Sequence, residues 1–185
     1  MVVPIKSFSA AKARLAEALS PERRAALARQ CADTVLQAAR PLPVFVVCDD
    51  DDVAVWAAGH AASVVKPPQP GLNAAVAAGR ETAAAAGFER VLVVHSDLPR
   101  AESLASLDVD THQVTLVPDR REDGTNALLL PASGVFDFHY GPGSFSAHQA
   151  EAAARGLTMR VVRRRDLELD IDTLDDLNAA GLSAD

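Results

Sequence analysis

Val91-Leu92-Val93-Val94-His95-Ser96-Asp97-Leu98-Pro99 is an apolar run that ends abruptly in a carboxylate and a proline. Four consecutive aliphatic residues with no polar alternation predict a strand buried on both faces, as in the parallel sheets of α/β proteins. Asp97 then emerges at the carboxyl end of that strand, where ligands bind in open α/β sheets. It serves chemistry in that crevice or caps a turn before Pro99.

On either side of this stretch, strand and helix patterns alternate. Upstream, Met1 to Lys6 reads as a first strand, followed by a helix carrying Ala11-Lys12-Ala13-Arg14-Leu15. Ser20-Pro21-Glu22 opens a longer helix to about Arg40, with a hydroxyl cap, a proline at the first position and an acid in the first turn. Its buried stripe is predicted as Leu27, Cys31, Thr34, Val35 and Ala38. Pro43 to Cys48 and Ser63 to Lys66 read as strands, and Val53 to Ala58 as a short helix. Asp49 to Asp52 is a solvated turn with one aspartate capping that helix, or a cation site. Pro67-Pro68-Gln69-Pro70-Gly71 is a loop leading to a helix from Leu72 to about Gly87.

Downstream, a short helix at Glu102 to Leu107 precedes strands at Val114 to Val117, Ala127 to Leu130, Phe136 to Tyr140 and Thr158 to Val162. A helix runs from Phe145 to Arg155, Leu167 to Asp172 alternates with period two, and Thr173 caps a last helix. The whole predicts one α/β domain over 1–185, a mostly parallel, doubly wound, Rossmann-like sheet flanked by helices.

A formal charge of −7 leaves no basic face for nucleic acid. Two cysteines, Cys31 and Cys48, form neither a metal-spaced pair nor a disulfide framework, which fits a reducing cytoplasm. Without a signal segment or an apolar run near 18 residues, a cytoplasmic protein with no membrane contact is predicted.

Three carboxylates, Asp97, Asp170 and Asp172, lie at or just past strand ends. In Asp170-Ile171-Asp172 the acids share one face while Ile171 points inward. Such converging hard oxygens suit Mg²⁺, which keeps further sites for water and phosphate. Alternatively, Asp172 caps the terminal helix and Asp170 pairs with one of Arg163 to Arg165. Lys6, Lys12 and Arg14 could hold a polyphosphate. Gly141-Pro142-Gly143-Ser144 and Gly124-Thr125-Asn126 are turns whose amides and hydroxyls suit an anion, or ordinary caps. The histidines show no zinc spacing, and no serine-hydrolase elbow, dinucleotide fingerprint or P-loop is present.

Ala11-Lys12-Ala13-Arg14-Leu15, Gly71-Leu72-Asn73, Ser96-Asp97-Leu98-Pro99, Pro118-Asp119-Arg120-Arg121, Gly124-Thr125-Asn126-Ala127-Leu128, Tyr140-Gly141-Pro142-Gly143-Ser144-Phe145 and Leu169-Asp170-Ile171-Asp172-Thr173 occur in one order. Together they resemble the guanylyltransferase family of coenzyme F-420 biosynthesis, which acts on 2-phospho-L-lactate or phosphoenolpyruvate. The resemblance spans essentially the whole chain. It implies a fold related to molybdenum-cofactor guanylyltransferases, with GTP and a phosphorylated three-carbon acid as partners and product passing to the next enzyme of the pathway. By that resemblance Asp97, Asp170 and Asp172 take Mg²⁺, Lys6, Lys12 and Arg14 hold the triphosphate, and Gly71 and Asn73 border the nucleoside. Thr125, Gly141, Gly143 and Ser144 hold the acid. His95 stands where the resemblance implies a small residue. Competing expectations are the same fold with another acceptor, such as 3-phospho-D-glycerate or a molybdopterin, and a catalytically silent nucleotide-binding protein.

Overall fold

The computed structural model describes residues 1–108 and 112–182. Seven strands, β1 (Val2–Pro4), β2 (Phe45–Val47), β3 (Ser63–Val65), β4 (Arg90–Val94), β5 (Val114–Pro118), β6 (Thr125–Pro131) and β7 (Met159–Val161), form one sheet. Their order is β3-β2-β1-β4-β6-β5-β7. Five helices flank it: α1 (Pro21–Ala38), α2 (Asp51–Gly59), α3 (Leu72–Ala85), α4 (Ser144–Ala154) and α5 (Leu174–Ala179).

All pairings are parallel except those of β6, which runs antiparallel to both β4 and β5. The sheet is therefore mostly parallel, as predicted, with one reversed strand supplied by the turn from Pro118 to Thr125. The aliphatic side chains of the central strands alternate between two cores. Val3, Val46, Leu92 and Val94 pack with α1 and α2 on one side; Val2, Phe45, Val91, Val93 and Leu128 pack with Val76 and Phe145 on the other. This two-sided burial is the reason the β4 sequence shows no polar alternation.

Helix starts follow their sequence signals. Ser20 accepts from Arg23 N, Asp50 from Val53 N, and Thr173 forms a reciprocal capping box with Asp176. On α1, Leu27, Cys31 and Val35 are buried as predicted, whereas Thr34 and Ala38 are partly exposed and Ala28, Ala32 and Leu36 complete the stripe.

Four expectations are corrected. Ala11 to Leu15 is no α-helix: a single 3-10 turn spans Ala13–Leu15, preceded by Lys12 in the left-handed region at φ 56°. Phe8, buried edge-on against Trp56 and beneath Arg29, pins this segment down. Glu102 to Leu107 likewise shrinks to a 3-10 turn, Leu104–Leu107. Phe136 to Tyr140 is not a strand, because side chains take its backbone groups. Arg80 donates to Phe136 O, Asp137 N to Glu151, His139 N to His148 and Tyr140 N to Asn73. Finally, Leu167 to Asp172 keeps its alternation of burial without pairing as a strand.

Candidate active site

Beyond the carboxyl end of β4, the chain turns so that Asp97 faces the segment Asp170-Ile171-Asp172. Two backbone bonds hold that segment: Ile171 N donates to Asp97 O at 3.2 Å, and Arg120 N to Glu168 O at 2.7 Å. Buried Asn126 adds a third, donating Nδ2 to Leu167 O at 2.9 Å. Asp176 accepts from the backbone of Asp172 and Thr173 and pairs with Arg120 and Arg121, so the terminal cap also orients Asp172. Ile171, fully buried, leaves the two flanking acids on one side. As a result Asp97, Asp170 and Asp172 each place a carboxylate oxygen within 4.8 Å of the others.

Lys12 reaches into this group, with Nζ 2.7 Å from Asp97 Oδ2 and 3.9 Å from Asp172 Oδ1; its side chain is 6% exposed. Arg14, mostly exposed, lies 3.2 Å from Asp172 Oδ2. Burial works against the Lys12 charge, but contact with Asp97 and proximity to Asp172 outweigh it and hold the ammonium above its ordinary range. Asp97 is held below the usual carboxylate range, because Lys12 and His95 outweigh its desolvation. Asp170 is pushed up by burial and by its acidic neighbours, Asp97 first. The three acids are thus a closely set group of hard oxygens short of positive charge. Asp97 Oδ1 is buried with no hydrogen-bond partner, and so fits a divalent cation.

Two adjoining cavities meet at this point, sharing Pro4, Ile5, Lys6, Ser96 and Asp97 as walls. One, about 240 Å³, is bounded by the Ser7 to Lys12 loop and Asp172. The other, about 450 Å³, is walled by Val47, Pro67, Pro70, Gly71, Leu72 and His95, an apolar slot with acids at one end. Gly71, at φ 119°, supplies the bend that closes it. Lys6 is exposed on the shared rim. Asn73 is committed elsewhere: its amide donates to Tyr140 O at 3.3 Å and accepts from Tyr140 N at 2.7 Å. It clamps the start of α3 to the Tyr140-Gly141 loop.

The remaining predicted residues form a second cluster at the same end of the sheet. Thr125 and Ser144 are buried, with their hydroxyls 3.5 Å apart. His148 Nε2 accepts from His139 N at 3.0 Å, which puts the ring proton on Nδ1, 3.0 Å from Thr125 Oγ1. The imidazole therefore donates to Thr125 and leaves the threonine proton for another acceptor. Burial, with His139 and His95 nearby, lowers the His148 pKa to about 4. Gly141 and Gly143 both have positive φ, as the turn requires. Gly143 N, however, is occupied by the Asp123 carboxylate at 3.2 Å to each oxygen, and Phe145 N by Asp123 O. Asp123, Asn126 and His148 were not singled out by sequence; only the place of the first two in the Gly-Thr-Asn loop signalled them. Rings join the clusters: Tyr140 lies 5.2 Å from His95 and 4.8 Å from His148.

Comparison with known proteins agrees with this arrangement. A family model described as "Guanylyl transferase CofC like" matches residues 1–182. A phosphoenolpyruvate guanylyltransferase from Sphaerobacter thermophilus is 38% identical, covering 95% of this chain and 89% of that protein. A 3-phospho-D-glycerate guanylyltransferase from Phenylobacterium zucineum is 32% identical, covering 95% and 86% respectively. Among solved structures, a nucleotidyl transferase from Methanothermobacter thermautotroptrophicus superposes with a TM-score of 0.63 at 16% identity, covering 97% of this chain and 95% of that one. Among the described residues no helix is long and apolar enough to cross a membrane. The fold is that of nucleotidyltransferases, and the chain belongs to the CofC-like guanylyltransferase family.

Proposed function

We propose that the protein transfers GMP from GTP to the phosphate of a three-carbon acid, phosphoenolpyruvate first among the candidates, with release of pyrophosphate. The observation that carries this is the meeting of three carboxylates, a buried lysine and an arginine at the mouth of an apolar slot. Relatives that act on phosphoenolpyruvate by name support that acceptor, and one named for 3-phospho-D-glycerate makes it the acid to compare. The resemblance noted above places the reaction in coenzyme F-420 biosynthesis, with the product passing to a following enzyme.

In the reaction, a phosphate oxygen of the acid bonds to the α-phosphorus of GTP as the bond to the bridging oxygen of pyrophosphate breaks. A phosphate monoester is largely ionised at neutral pH, so no protein group need remove its proton. The protein's work is positioning and charge neutralisation. Lys6 and Arg14, on the open side, receive the triphosphate. Lys12 balances the buried acids and lies close to the developing charge on the leaving group. Gly71 borders the nucleoside, Asn73 holds the loop facing it, and Thr125, Gly141 and Ser144 meet the acid. Asp97, Asp170 and Asp172 would hold Mg²⁺, which supplies charge neutralisation at the phosphates when bound.

The test is pyrophosphate release from GTP and Mg²⁺ at near-stoichiometric enzyme, offering phosphoenolpyruvate, 2-phospho-L-lactate and 3-phospho-D-glycerate separately. A burst with one acid and none without acceptor is expected. Silence with all three, in protein that binds GTP, would point instead to a non-catalytic nucleotide-binding protein.

A further inference from the structure

His95 is left unused by the reaction outlined above, yet it is placed among the groups that carry it. Its backbone is fixed by donation to Asn126 O at 3.0 Å, and its ring packs on Tyr140, whose own backbone is clamped by Asn73. The ring forms part of the wall of the larger cavity, beside Ser96 and Asp97. Nδ1 faces Asp97 Oδ1 at 4.0 Å. Nε2 is buried and has no hydrogen-bond partner. Buried polar atoms in native proteins are nearly always paired, and one left open on a cavity wall is a group awaiting a ligand. The negative carboxylate opposite Nδ1 attracts the ring proton to that side, so Nε2 presents a lone pair and calls for a donor.

We infer that His95 is a specificity-determining residue whose Nε2 accepts a hydrogen bond from a hydroxyl of the bound substrate, the nucleotide ribose being the expected source. This rests on the guanylyl-transfer reading of the site. The larger cavity is apolar at the Pro67, Pro70 and Leu72 end and acidic at the Asp97 end. A nucleotide laid along it with base in the slot and phosphates toward the carboxylates carries its sugar between the two. That is where a side chain two residues before Asp97 points its free nitrogen. The sugar's hydroxyls are donors; phosphoenolpyruvate, fully ionised, has none to offer. A hydroxylated acid such as 3-phospho-D-glycerate is the other source of the same chemistry.

The experiment is a binding cycle in Mg²⁺, by calorimetry without acceptor, using GTP, 2′-deoxy-GTP and 3′-deoxy-GTP against the wild-type chain, His95→Leu and His95→Gln. Thermal unfolding checks that each variant is folded. The wild-type chain is expected to prefer GTP over one deoxy analogue by about fivefold, the worth of one neutral hydrogen bond. His95→Leu abolishes that preference, and His95→Gln, whose amide oxygen can stand near Nε2, restores part of it. In parallel, the ratio of turnover with 3-phospho-D-glycerate to that with phosphoenolpyruvate is compared between the wild-type chain and His95→Leu. A change there, with nucleotide preference intact, keeps the hydroxyl acceptor and moves its partner to the acid. If His95→Leu keeps both the wild-type nucleotide preference and the acid ratio, the inference is overturned while guanylyl transfer stands. If the wild-type chain binds no GTP at all, both fall.

Discussion

At the scale of single residues, Asp97 and His148 show how one environment sets opposite protonation demands. Asp97 is the hub of the carboxylate group and the main partner of a lysine almost wholly withdrawn from water. Asp97→Asn is expected to lower pyrophosphate release by about 10²–10³-fold, as removal of a preorganised charge at a reacting centre does. It also leaves Lys12 without its nearest counter-charge, at a cost of about 3–5 kcal/mol for a broken buried pair. Urea denaturation and single-turnover kinetics on the same variant separate the two effects. For His148, the folded pKa of about 4 lies below its ordinary value of 6.5, and burial is the chief cause. The unfolded chain therefore binds the proton first as pH falls. The stabilisation is fully present above pH 6.5 and is lost as pH falls toward 4. Between pH 7 and 5 the unfolding free energy is expected to drop by about 2 kcal/mol from this residue. Urea melts of His148→Gln over the same range should show a smaller decline; an unchanged slope would place the proton uptake elsewhere.

At the scale of elements, α3 is seated by two neighbouring residues with different tasks. Gly79 faces β1 and β2 so closely that a Cβ there would sit 2.5 Å from a Val2 methyl and 2.8 Å from a Val47 methyl. Both neighbours are β-branched and stiff about χ1. Gly79→Ala should accordingly destabilise the protein by about 1–3 kcal/mol despite its better helix propensity, measured as a shift of the denaturation midpoint. Arg80, 8% exposed, donates to the carbonyls of Pro131, Ser133, Gly134 and Phe136 and so ties α3 to the segment that follows β6. That segment ends at Tyr140, against His95, so the seating of α3 also sets one wall of the active site. The other wall depends on α5, whose capping box holds Asp172 in register with Asp97.

At the scale of the whole molecule, the site gathers residues 6, 12, 14, 71, 97, 125, 144, 170 and 172 from nearly the full chain. Substrate binding should therefore stabilise the molecule as one unit. GTP and Mg²⁺ together, at about 100 times their dissociation constants, are expected to add about 2.7 kcal/mol. For a domain of this size that corresponds to a rise in Tm of roughly 5–10 °C. Chelation with EDTA should remove most of the rise; a rise that survives chelation would refute the coupling of nucleotide to metal at Asp97, Asp170 and Asp172.

The sequence by itself determined the layered α/β plan, the caps at Ser20, Asp50 and Thr173, and the gathering of acids at strand ends. Those features are written in local periodicity, in residue types that bond their own backbone neighbours, and in apolar runs that must be buried on two sides. Only the tertiary structure decided that β6 runs against its neighbours, since a hydrophobic run carries no direction. Tertiary contacts also unwound the Lys12 segment into a left-handed turn around Phe8, and the span Phe136 to Tyr140 pairs with side chains instead of a strand. The same holds for Asn126, Arg80 and Asp123, whose carbonyl and amide partners lie 20 to 56 residues away along the chain. Long-range bonds of this kind leave no period in the sequence, because the partner backbone has no residue type to announce it.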